Sequence, residues 1–245
     1  MRSSRPLIVV PAWNEEASIA KVIAGLVENG YEVVVVSDGS TDSTASIARS
    51  CGARVVELPV NLGVGGALRA GFRYAVDHGY DAVVQCDADG QHLAEEIAVL
   101  LDARTRSGAH LVIGSRFAKN GNYETSFFRK VAMNILAFIA RRSTGTYLSD
   151  VSSGFRVISE PLLSEFAREF PSAYLGDTFE AVISAGRAGY TIEEIPVSMQ
   201  QREHGTSTAS TLSAIKFLVR VLLIVLLRIE VKIQPPRDEN ANILG

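Results

Sequence analysis

The segment Val83–His92, VVQCDADGQH, takes a run of β-branched residues directly into two carboxylates spaced Asp-x-Asp. The apolar run predicts a buried strand, and Asp87 and Asp89 stand almost in contact at its end. Two like charges this close repel each other unless a cation lies between them. Together with Gln91 they offer the hard oxygen ligands that Mg²⁺ and Mn²⁺ prefer, and they leave coordination positions for phosphate oxygens. The segment predicts a divalent-metal site, with a solvated turn as the alternative.

The same pattern continues on both sides of this strand and indicates the fold class. Between residues 7 and 115, short apolar runs alternate with stretches of helical periodicity. Runs that are apolar throughout are typical of parallel strands buried on both faces. Five are present: LIVV, EVVVVS, ARVVEL, DAVVQC and HLVIGS. Repeated strand–helix units predict a doubly wound, mostly parallel α/β sheet of the Rossmann-like type.

The helices between these strands are predicted from apolar periodicity and terminal signals. The first helix is expected to end near Gly30, and the second to begin with Thr41 or Asp42 as its N-cap. The third and fourth helices are expected at 65–78 and 93–106.

Ligands of open α/β sheets bind outside the carboxyl ends of the strands. Four of the five predicted strands end in a segment with a charged residue: PAWNE (11–15), SDGS (37–40), DAD (87–89) and GSR (114–116). The other strand end, NLG, begins a glycine-rich stretch similar to a dinucleotide fingerprint, but Leu68 occupies the position of the third glycine. A nicotinamide cofactor is therefore not expected, and the charged strand ends predict the site.

The second half of the chain shows no linker-like composition, so residues 1–211 are predicted to form one domain. A polar loop, SDVSSGFR, is expected between an apolar helix at 125–144 and further helices near 160–170 and 177–189, followed by a strand, TIEEIPV. Asp150 in that loop either positions an acceptor or has a structural role. Candidate phosphate-binding arginines are Arg116, Arg129, Arg156 and Arg202.

The region from 212 to 232 contains the most apolar stretch of the chain. Its longest uninterrupted apolar run, VLLIVLL, is far shorter than the about 20 residues of a membrane span. Lys216, Arg220 and Arg228 fall on one helical face, which favours an amphipathic helix at the membrane interface. A core helix packed on the domain is the alternative. Residues 233–245 are predicted to be a disordered tail.

The net charge and the cysteine content limit which kinds of partner and which cellular compartment are expected. The net charge of −3 and the pI of about 5.9 indicate no general attraction to nucleic acid. Two cysteines do not form a disulfide framework, and both are interpreted as core residues of a protein in a reducing compartment. The apolar run near the N-terminus is too short for a signal peptide, so a cytoplasmic location is expected.

Seven segments occur in an order and spacing that resemble family 2 glycosyltransferases with the GT-A fold: LIVVPAWNEE, VVVVSDGSTDST, NLGVGGALRAGF, DADGQH, IGSRF, SSGFR and REHGTS. The chain is most similar to the dolichyl-phosphate mannosyltransferase type, which includes bacterial polyprenyl-phosphate glycosyltransferases. The resemblance spans residues 7–207. It implies an inverting enzyme that moves a sugar from a nucleotide-sugar donor to a polyprenyl phosphate. Such an acceptor, together with the amphipathic helix, predicts a peripheral protein on the cytoplasmic face of a membrane.

The resemblance also implies roles for individual positions. The donor nucleotide would contact Pro11, Trp13, Glu15, Asp38, Asp87, Ala88 and Arg202. Mg²⁺ or Mn²⁺ would be bound by Asp87, Asp89 and Gln91, and the acceptor phosphate by Arg116 and Arg129. The catalytic group would then comprise Asp87, Asp89, Arg116 and Arg202.

Three departures from the family pattern bear on the donor. Trp13 replaces the usual Tyr, Ser37 replaces the first Asp of Asp-Asp-Gly-Ser, and Thr208 replaces a Lys that contacts the diphosphate. The sugar and the nucleotide therefore stay open. Two other functions also remain: a related transferase acting on a polysaccharide, a protein or a small molecule, and a nucleotide-sugar-binding module without turnover. A homo-oligomer or a small membrane protein is a further candidate partner.

Overall fold

A computed structural model of the chain describes residues 6–116, 137–171, 177–200 and 233–236. The strands are β1 (Leu7–Ala12), β2 (Glu32–Asp38), β3 (Arg54–Leu58), β4 (Ala82–Gln85), β5 (Leu111–Ser115), β6 (Arg156–Ser159) and β7 (Ile192–Pro196). The helices are α1 (Ile19–Glu28), α2 (Thr44–Ser50), α3 (Gly63–Asp77), α4 (Ala94–Ser107), α5 (Leu162–Arg168) and α6 (Asp177–Arg187), and residues 137–144 are also helical. The five strands expected in the first half are all present.

The strands form one sheet in the order β3-β2-β1-β4-β6-β5-β7. The β1–β2, β2–β3, β1–β4 and β5–β7 pairs are parallel, and β6 alone of these strands runs antiparallel to its neighbours, β4 and β5. The carboxyl ends of the other six strands therefore lie along one edge, where the amino end of β6 also lies. The prediction of a mostly parallel, doubly wound sheet is confirmed.

Apolar side chains fill both faces of the sheet, as the unbroken apolar runs predict. In β1, Leu7 and Val9 belong to a buried cluster with residues of α3, α5 and α6. Ile8 and Val10 of the same strand belong to a second cluster with residues of α1 and α4. Because successive side chains of a strand point to opposite faces, one strand contributes to both cores. The site is thus built on a sheet that is covered on both sides.

The structure differs from the sequence-based expectations at several boundaries. Strand β6 was not predicted, because it has only four residues and follows a polar loop. Helix α3 begins at Gly63, two residues earlier than expected. The N-cap of α2 is Ser43, and Asp42 contributes by accepting the Thr44 N–H at 3.0 Å. The first helix does end where expected, since Gly30 follows its C-cap with a φ of 79°.

Several predicted features of the second half lie partly or wholly outside the described residues. These are the first part of the helix at 125–144, the amphipathic helix at 212–232 and the tail beyond residue 236. Within the described tail residues, the Gln234 N–H donates to a Glu165 carboxylate oxygen at 2.8 Å, so this part of the tail contacts α5. No helix among the described residues is long and apolar enough to cross a membrane.

Close packing of α3 on the sheet gives a test of the fold. A Cβ atom on Gly71 would lie 2.3 Å from Val9 Cγ1, in the buried cluster beneath α3. We expect Gly71→Ala to lower the free energy of unfolding by about 1–3 kcal/mol, the usual cost of overpacking a core. Chemical denaturation measures this loss.

Gly25→Ala in α1 is the matched control. A Cβ atom there would meet nothing within 4 Å, so alanine should leave the stability unchanged or raise it by up to about 1 kcal/mol. Equal stability of the two variants would contradict the packing of α3 on β1.

Candidate active site

The Asp-x-Asp segment follows β4 at the carboxyl edge of the sheet. The Asp87 side chain is 38% exposed, Ala88 is buried, and Asp89 is partly buried. One oxygen of Asp89 accepts the Gln91 N–H at 3.0 Å, across a turn that Gly90 makes with a φ of 78°. The two carboxylates that the sequence brought together are therefore held on one tight turn at the sheet edge.

His92 fixes the backbone of the first of these carboxylates. Its Nδ1 accepts the Asp87 N–H at 2.9 Å, which leaves the proton of the neutral ring on Nε2. That Nε2 lies 3.6 Å from Asp87 Oδ2, and the ring stacks on Phe155 with a centroid distance of 4.6 Å. The sequence analysis included His92 in the motif without a role. The structure shows that it orients Asp87.

The loop before β6 meets the Asp87 carboxylate from the other side. This loop, residues 150–154, is named here the anchor loop. A Cβ atom on Gly154 would lie 2.7 and 2.8 Å from the two carboxylate oxygens of Asp87, closer than a side chain tolerates. Only glycine permits this approach. The SSGFR motif therefore contacts the Asp-x-Asp motif, although they are far apart in the chain.

The other end of the anchor loop holds Arg116, which follows β5. The guanidinium donates from Nε to Asp150 Oδ2 at 2.7 Å and from Nη2 to Asp150 Oδ1 at 2.8 Å. The Asp150 side chain is almost fully buried, whereas that of Arg116 is 39% exposed. A buried carboxylate thus orients an accessible arginine through two parallel, charge-assisted hydrogen bonds. Of the two expectations for Asp150, this contact supports the structural role, with Arg116 as the partner that it orients.

Asp150 is itself fixed by β7. The backbone N–H groups of Ser149 and Asp150 both donate to Glu194 Oε2 at 2.8 Å. Ser149 also donates from its hydroxyl to Glu194, and its Oγ lies 3.1 Å from Ser115 Oγ at the end of β5. The start of the anchor loop is therefore hydrogen-bonded to β7, and the residue before it to both β7 and β5, the strand that Arg116 follows.

The candidate donor residues gather at the ends of β1 and β2. Trp13 is 56% exposed, beside Pro11 at the strand end and Glu15 in the following turn. Glu15 accepts a hydrogen bond from the Ser18 hydroxyl at 2.9 Å. Asp38 is buried, and its Oδ1 accepts the Leu62 N–H at 2.7 Å. One oxygen of Asp38 therefore holds the glycine-rich turn before α3.

Hydrogen bonds join the segment after β1 to the segment after β2. The Asn14 side chain accepts the Thr41 N–H at 2.9 Å, and Asn14 has a φ of 54°, in the left-handed region. The Glu15 N–H donates to the buried Thr44 hydroxyl at 2.8 Å. These contacts fix the backbone on both sides of Trp13.

The structure corrects one of the four candidate arginines. Arg156 is only 2% exposed, and its guanidinium donates to three backbone carbonyls. Its interpretation as a phosphate clamp is wrong, because Nε, Nη1 and Nη2 of the buried guanidinium are all bonded to carbonyls of the protein itself. Arg129 and Arg202 lie outside the described residues.

The cysteines agree only in part with the sequence analysis. Cys86 is buried beside the Asp-x-Asp turn, and burial raises the pKa of its thiol well above the usual range, so it behaves as a core residue. Cys51 is only partly buried.

Comparison with known proteins identifies the family. The model of "Glycosyl transferase family 2" matches residues 7–166. This chain belongs to glycosyl transferase family 2. The resemblance deduced from the seven motifs is confirmed, and so is the glycosyltransferase fold.

Two named relatives and a solved structure are similar along most of this transferase. An undecaprenyl-phosphate mannosyltransferase of Micrococcus luteus is 34% identical over 84% of this chain and 88% of its own. A UDP-N-acetylglucosamine–dolichyl-phosphate N-acetylglucosaminyltransferase of Methanococcus voltae is 27% identical over 89% and 94%. Glucosyl-3-phosphoglycerate synthase of Mycobacterium tuberculosis, in complex with Mn²⁺ and UDP-glucose, has a TM-score of 0.62 and 25% identity over 92% and 79%.

The donor set of this transferase fits a metal that is shared with a substrate. Among the described residues, no group of three or more His, Cys, Asp or Glu side chains gathers as a metal site. Mg²⁺ usually takes only one or two carboxylates from a protein and completes its shell with waters and phosphate oxygens. The half-exposed Asp87 carboxylate, with Asp89 two residues away, suits such a shared site better than a closed structural one.

The contact between Gly154 and Asp87 gives the prediction for this site. A methyl group at position 154 would meet the mobile end of the Asp87 side chain, so Gly154→Ala should displace the carboxylate while the fold survives. We expect the affinity for Mn²⁺ to fall by about tenfold or more, the usual scale for disturbing the support of a ligand. Titration with Mn²⁺ in the presence of UDP or GDP measures it.

Gly25→Ala, which adds the same methyl group in open space, should bind Mn²⁺ as the wild type does. Unchanged affinity in Gly154→Ala would show that Asp87 does not depend on the anchor loop.

Proposed function

We propose that this transferase moves a sugar from a nucleotide-sugar donor to a polyprenyl phosphate, with inversion at the anomeric carbon. The observation that carries the proposal is the anchor loop. One end of it packs on the Asp87 carboxylate, and the other holds Arg116 through Asp150. A metal-binding carboxylate for the donor and an oriented cation for an anionic acceptor are thereby joined by five residues. The relatives from Micrococcus luteus and Methanococcus voltae, both named for lipid-phosphate acceptors, support this acceptor class.

On the donor side, Trp13 offers an exposed aromatic face to the base. Pro11 and Glu15 near the end of β1, Asp38 at the end of β2 and Ala88 after β4 would contact the base and ribose. Asp87, Asp89 and Gln91 would hold Mg²⁺ or Mn²⁺, which when bound neutralises charge on the diphosphate that leaves. Arg202 would grip the same diphosphate.

On the acceptor side, a lipid phosphate is already an anionic nucleophile near pH 7. One of its oxygens forms the bond to the anomeric carbon, while the bond from that carbon to the diphosphate oxygen breaks and the diphosphate leaves with the electron pair. No strong general base is required. Arg116, held in one orientation by Asp150, and Arg129 would keep the phosphate in line for attack.

The donor is open between at least two nucleotides. Ser37 and Thr208 remove two contacts of the mannosyltransferase pattern. The Micrococcus luteus relative is named for mannose, whereas the Methanococcus voltae relative is named for UDP-N-acetylglucosamine. Both GDP and UDP sugars therefore belong in the assay.

The test is transfer of radiolabelled sugar to undecaprenyl phosphate, followed by extraction into organic solvent. We expect label in the organic phase with Mg²⁺ or Mn²⁺ present, and its loss in excess EDTA. Asp89→Asn should remove most turnover while the fold survives, because the metal site loses a carboxylate. Gly25→Ala is the control that should keep full transfer.

Other outcomes of this assay favour the other functions. Label in a water-soluble product with a phosphorylated small molecule would favour a soluble acceptor, as in glucosyl-3-phosphoglycerate synthase. Full transfer in EDTA would rule out the proposed metal site. Donor binding without transfer to any acceptor would leave a binding module.

A peripheral membrane location on the cytoplasmic face follows from the proposed acceptor, whose phosphate lies at the headgroup plane. Residues 212–232 would lie at that surface as an amphipathic helix. Lys216, Arg220 and Arg228 would each contribute about 1 kcal/mol of attraction to anionic lipid. We expect a chain that ends at residue 211 to lose binding to anionic liposomes, and to lose more transfer to long prenyl phosphates than to short soluble ones.

Cosedimentation with liposomes of phosphatidylglycerol and phosphatidylcholine measures the binding, with pure phosphatidylcholine as the control. Equal binding of the truncated and full chains would favour the alternative that this helix packs on the domain.

A further inference from the structure

The largest fully buried side chain among the described residues is that of Arg156. Burying an arginine costs several kcal/mol unless its donors are satisfied. Here Nε donates to the Ser153 carbonyl at 2.6 Å, Nη2 to the Val151 carbonyl at 2.7 Å and Nη1 to the Thr178 carbonyl at 3.0 Å. Two of these three carbonyls belong to the anchor loop. The guanidinium therefore binds that loop along its backbone.

Arg156 lies in the sheet between the end of β4, which leads to Asp87, and the end of β5, which leads to Arg116. It is the first residue of β6, and it pairs with Gln85 of β4 and Ile113 of β5. Gln85 lies two residues before Asp87, and Ile113 lies three residues before Arg116. The side chain that fixes the anchor loop thus starts from the strand that separates the proposed donor and acceptor groups.

The charge of Arg156 adds to this geometry. Burial lowers the pKa of Arg156 to about 10, and the nearby carboxylates of Asp150, Asp177 and Asp87 act in the opposite direction. The guanidinium is therefore still protonated at neutral pH. It places a buried positive charge among carboxylates that would otherwise repel one another.

The start of helix α6 also contacts the Arg156 guanidinium. Asp177 at its first turn is buried, and its carboxylate accepts a hydrogen bond from the Thr178 N–H at 2.8 Å. The Thr178 carbonyl in turn accepts from Arg156. The guanidinium thus connects the anchor loop to the start of α6.

We propose that Arg156 is a positioning residue that clamps the anchor loop through the Val151 and Ser153 carbonyls and so sets the orientation of both Asp87 and Arg116. It contacts neither substrate, and its effect passes through Gly154 on one side and Asp150 on the other. The inference rests on the proposed roles of Asp87 and Arg116. Lysine cannot replace it, because one ammonium on a flexible stem does not reproduce three donors in a planar fork.

Hydrogen exchange on the wild-type protein tests the clamp without any substitution. The N–H groups of Asp150, Ser153 and Phe155 donate to Glu194, the Asp150 carbonyl and the Ser153 hydroxyl. We expect them to exchange as slowly as the amides of β4, and much more slowly than those of the exposed Val60 and Asn61 in the turn after β3. Exchange as fast as in that turn would overturn the proposal.

Arg156→Lys tests the consequence for the site. We expect the amides of the anchor loop to exchange at least tenfold faster, with those of β1 and β2 unchanged. The affinity for Mn²⁺ with UDP or GDP should fall at least tenfold, and transfer to undecaprenyl phosphate should fall by a similar factor or more. Changes below threefold in both exchange and Mn²⁺ affinity would overturn the proposal.

Phe166→Leu is the matched control for a purely structural effect. Phe166 is buried in α5 against Phe72 and Phe170, so its replacement lowers stability without touching the anchor loop. It should bind Mn²⁺ within twofold of the wild type. An equal loss of affinity in Phe166→Leu would mean that Arg156 acts through global stability alone.

Failure of the proposed function gives a different result. A wild-type protein that binds no Mn²⁺ contradicts the metal site, whereas wild-type binding that Arg156→Lys leaves intact contradicts the positioning role. The exchange measurements decide the clamp in either case.

Discussion

Strand β6 runs antiparallel between β4 and β5, so the loop that precedes it arrives at the edge where its neighbours end. A parallel strand in that place would bring its preceding loop to the opposite edge of the sheet. Because of this reversal, the anchor loop lies between the Asp-x-Asp turn and Arg116. It packs against Asp87 through Gly154 and is hydrogen-bonded to Arg116 through Asp150. The meeting of the Asp-x-Asp turn with Arg116, the proposed donor-side and acceptor-side groups, depends on the direction of this four-residue strand.

The charges at this edge explain why the loop must be held firmly. Asp87, Asp89, Asp150 and Asp177 concentrate negative charge at the edge where the proposed donor diphosphate, also negative, would bind. Arg116 offsets this at the surface and Arg156 in the interior, each with a different kind of partner. Arg116 binds a carboxylate and remains accessible, whereas Arg156 binds only carbonyls in its described hydrogen bonds and keeps its positive field within the site. The exposed arginine is thus available to a ligand, whereas the buried one supports the backbone of the loop.

Local patterns explain which parts of this structure could be predicted from sequence. The five strands of the first half were predicted because each is an apolar run bounded by polar turns, and the carboxyl edge followed from their parallel order. Strand β6 was missed because it begins at Arg156, the last residue of the segment SDVSSGFR that was predicted as a polar loop. Arg156 was misinterpreted because sequence shows that a residue is charged but does not show that it is buried. The contacts of Gly154 with Asp87 and of Asp150 with Arg116 join distant segments, and only the folded chain reveals them.

The fork between Arg116 and Asp150 has a consequence for how an acceptor phosphate would be bound. A free arginine loses about 2 kcal/mol of side-chain entropy when a ligand fixes it. Two parallel hydrogen bonds to a carboxylate that β7 holds in place have already imposed that order before any ligand arrives. The Asp150 carboxylate also neutralises part of the positive charge of Arg116. An acceptor phosphate would therefore meet a well-oriented guanidinium whose electrostatic attraction is moderate. That combination favours alignment for transfer over tight retention of the acceptor, which is what the proposed transfer to a lipid phosphate requires.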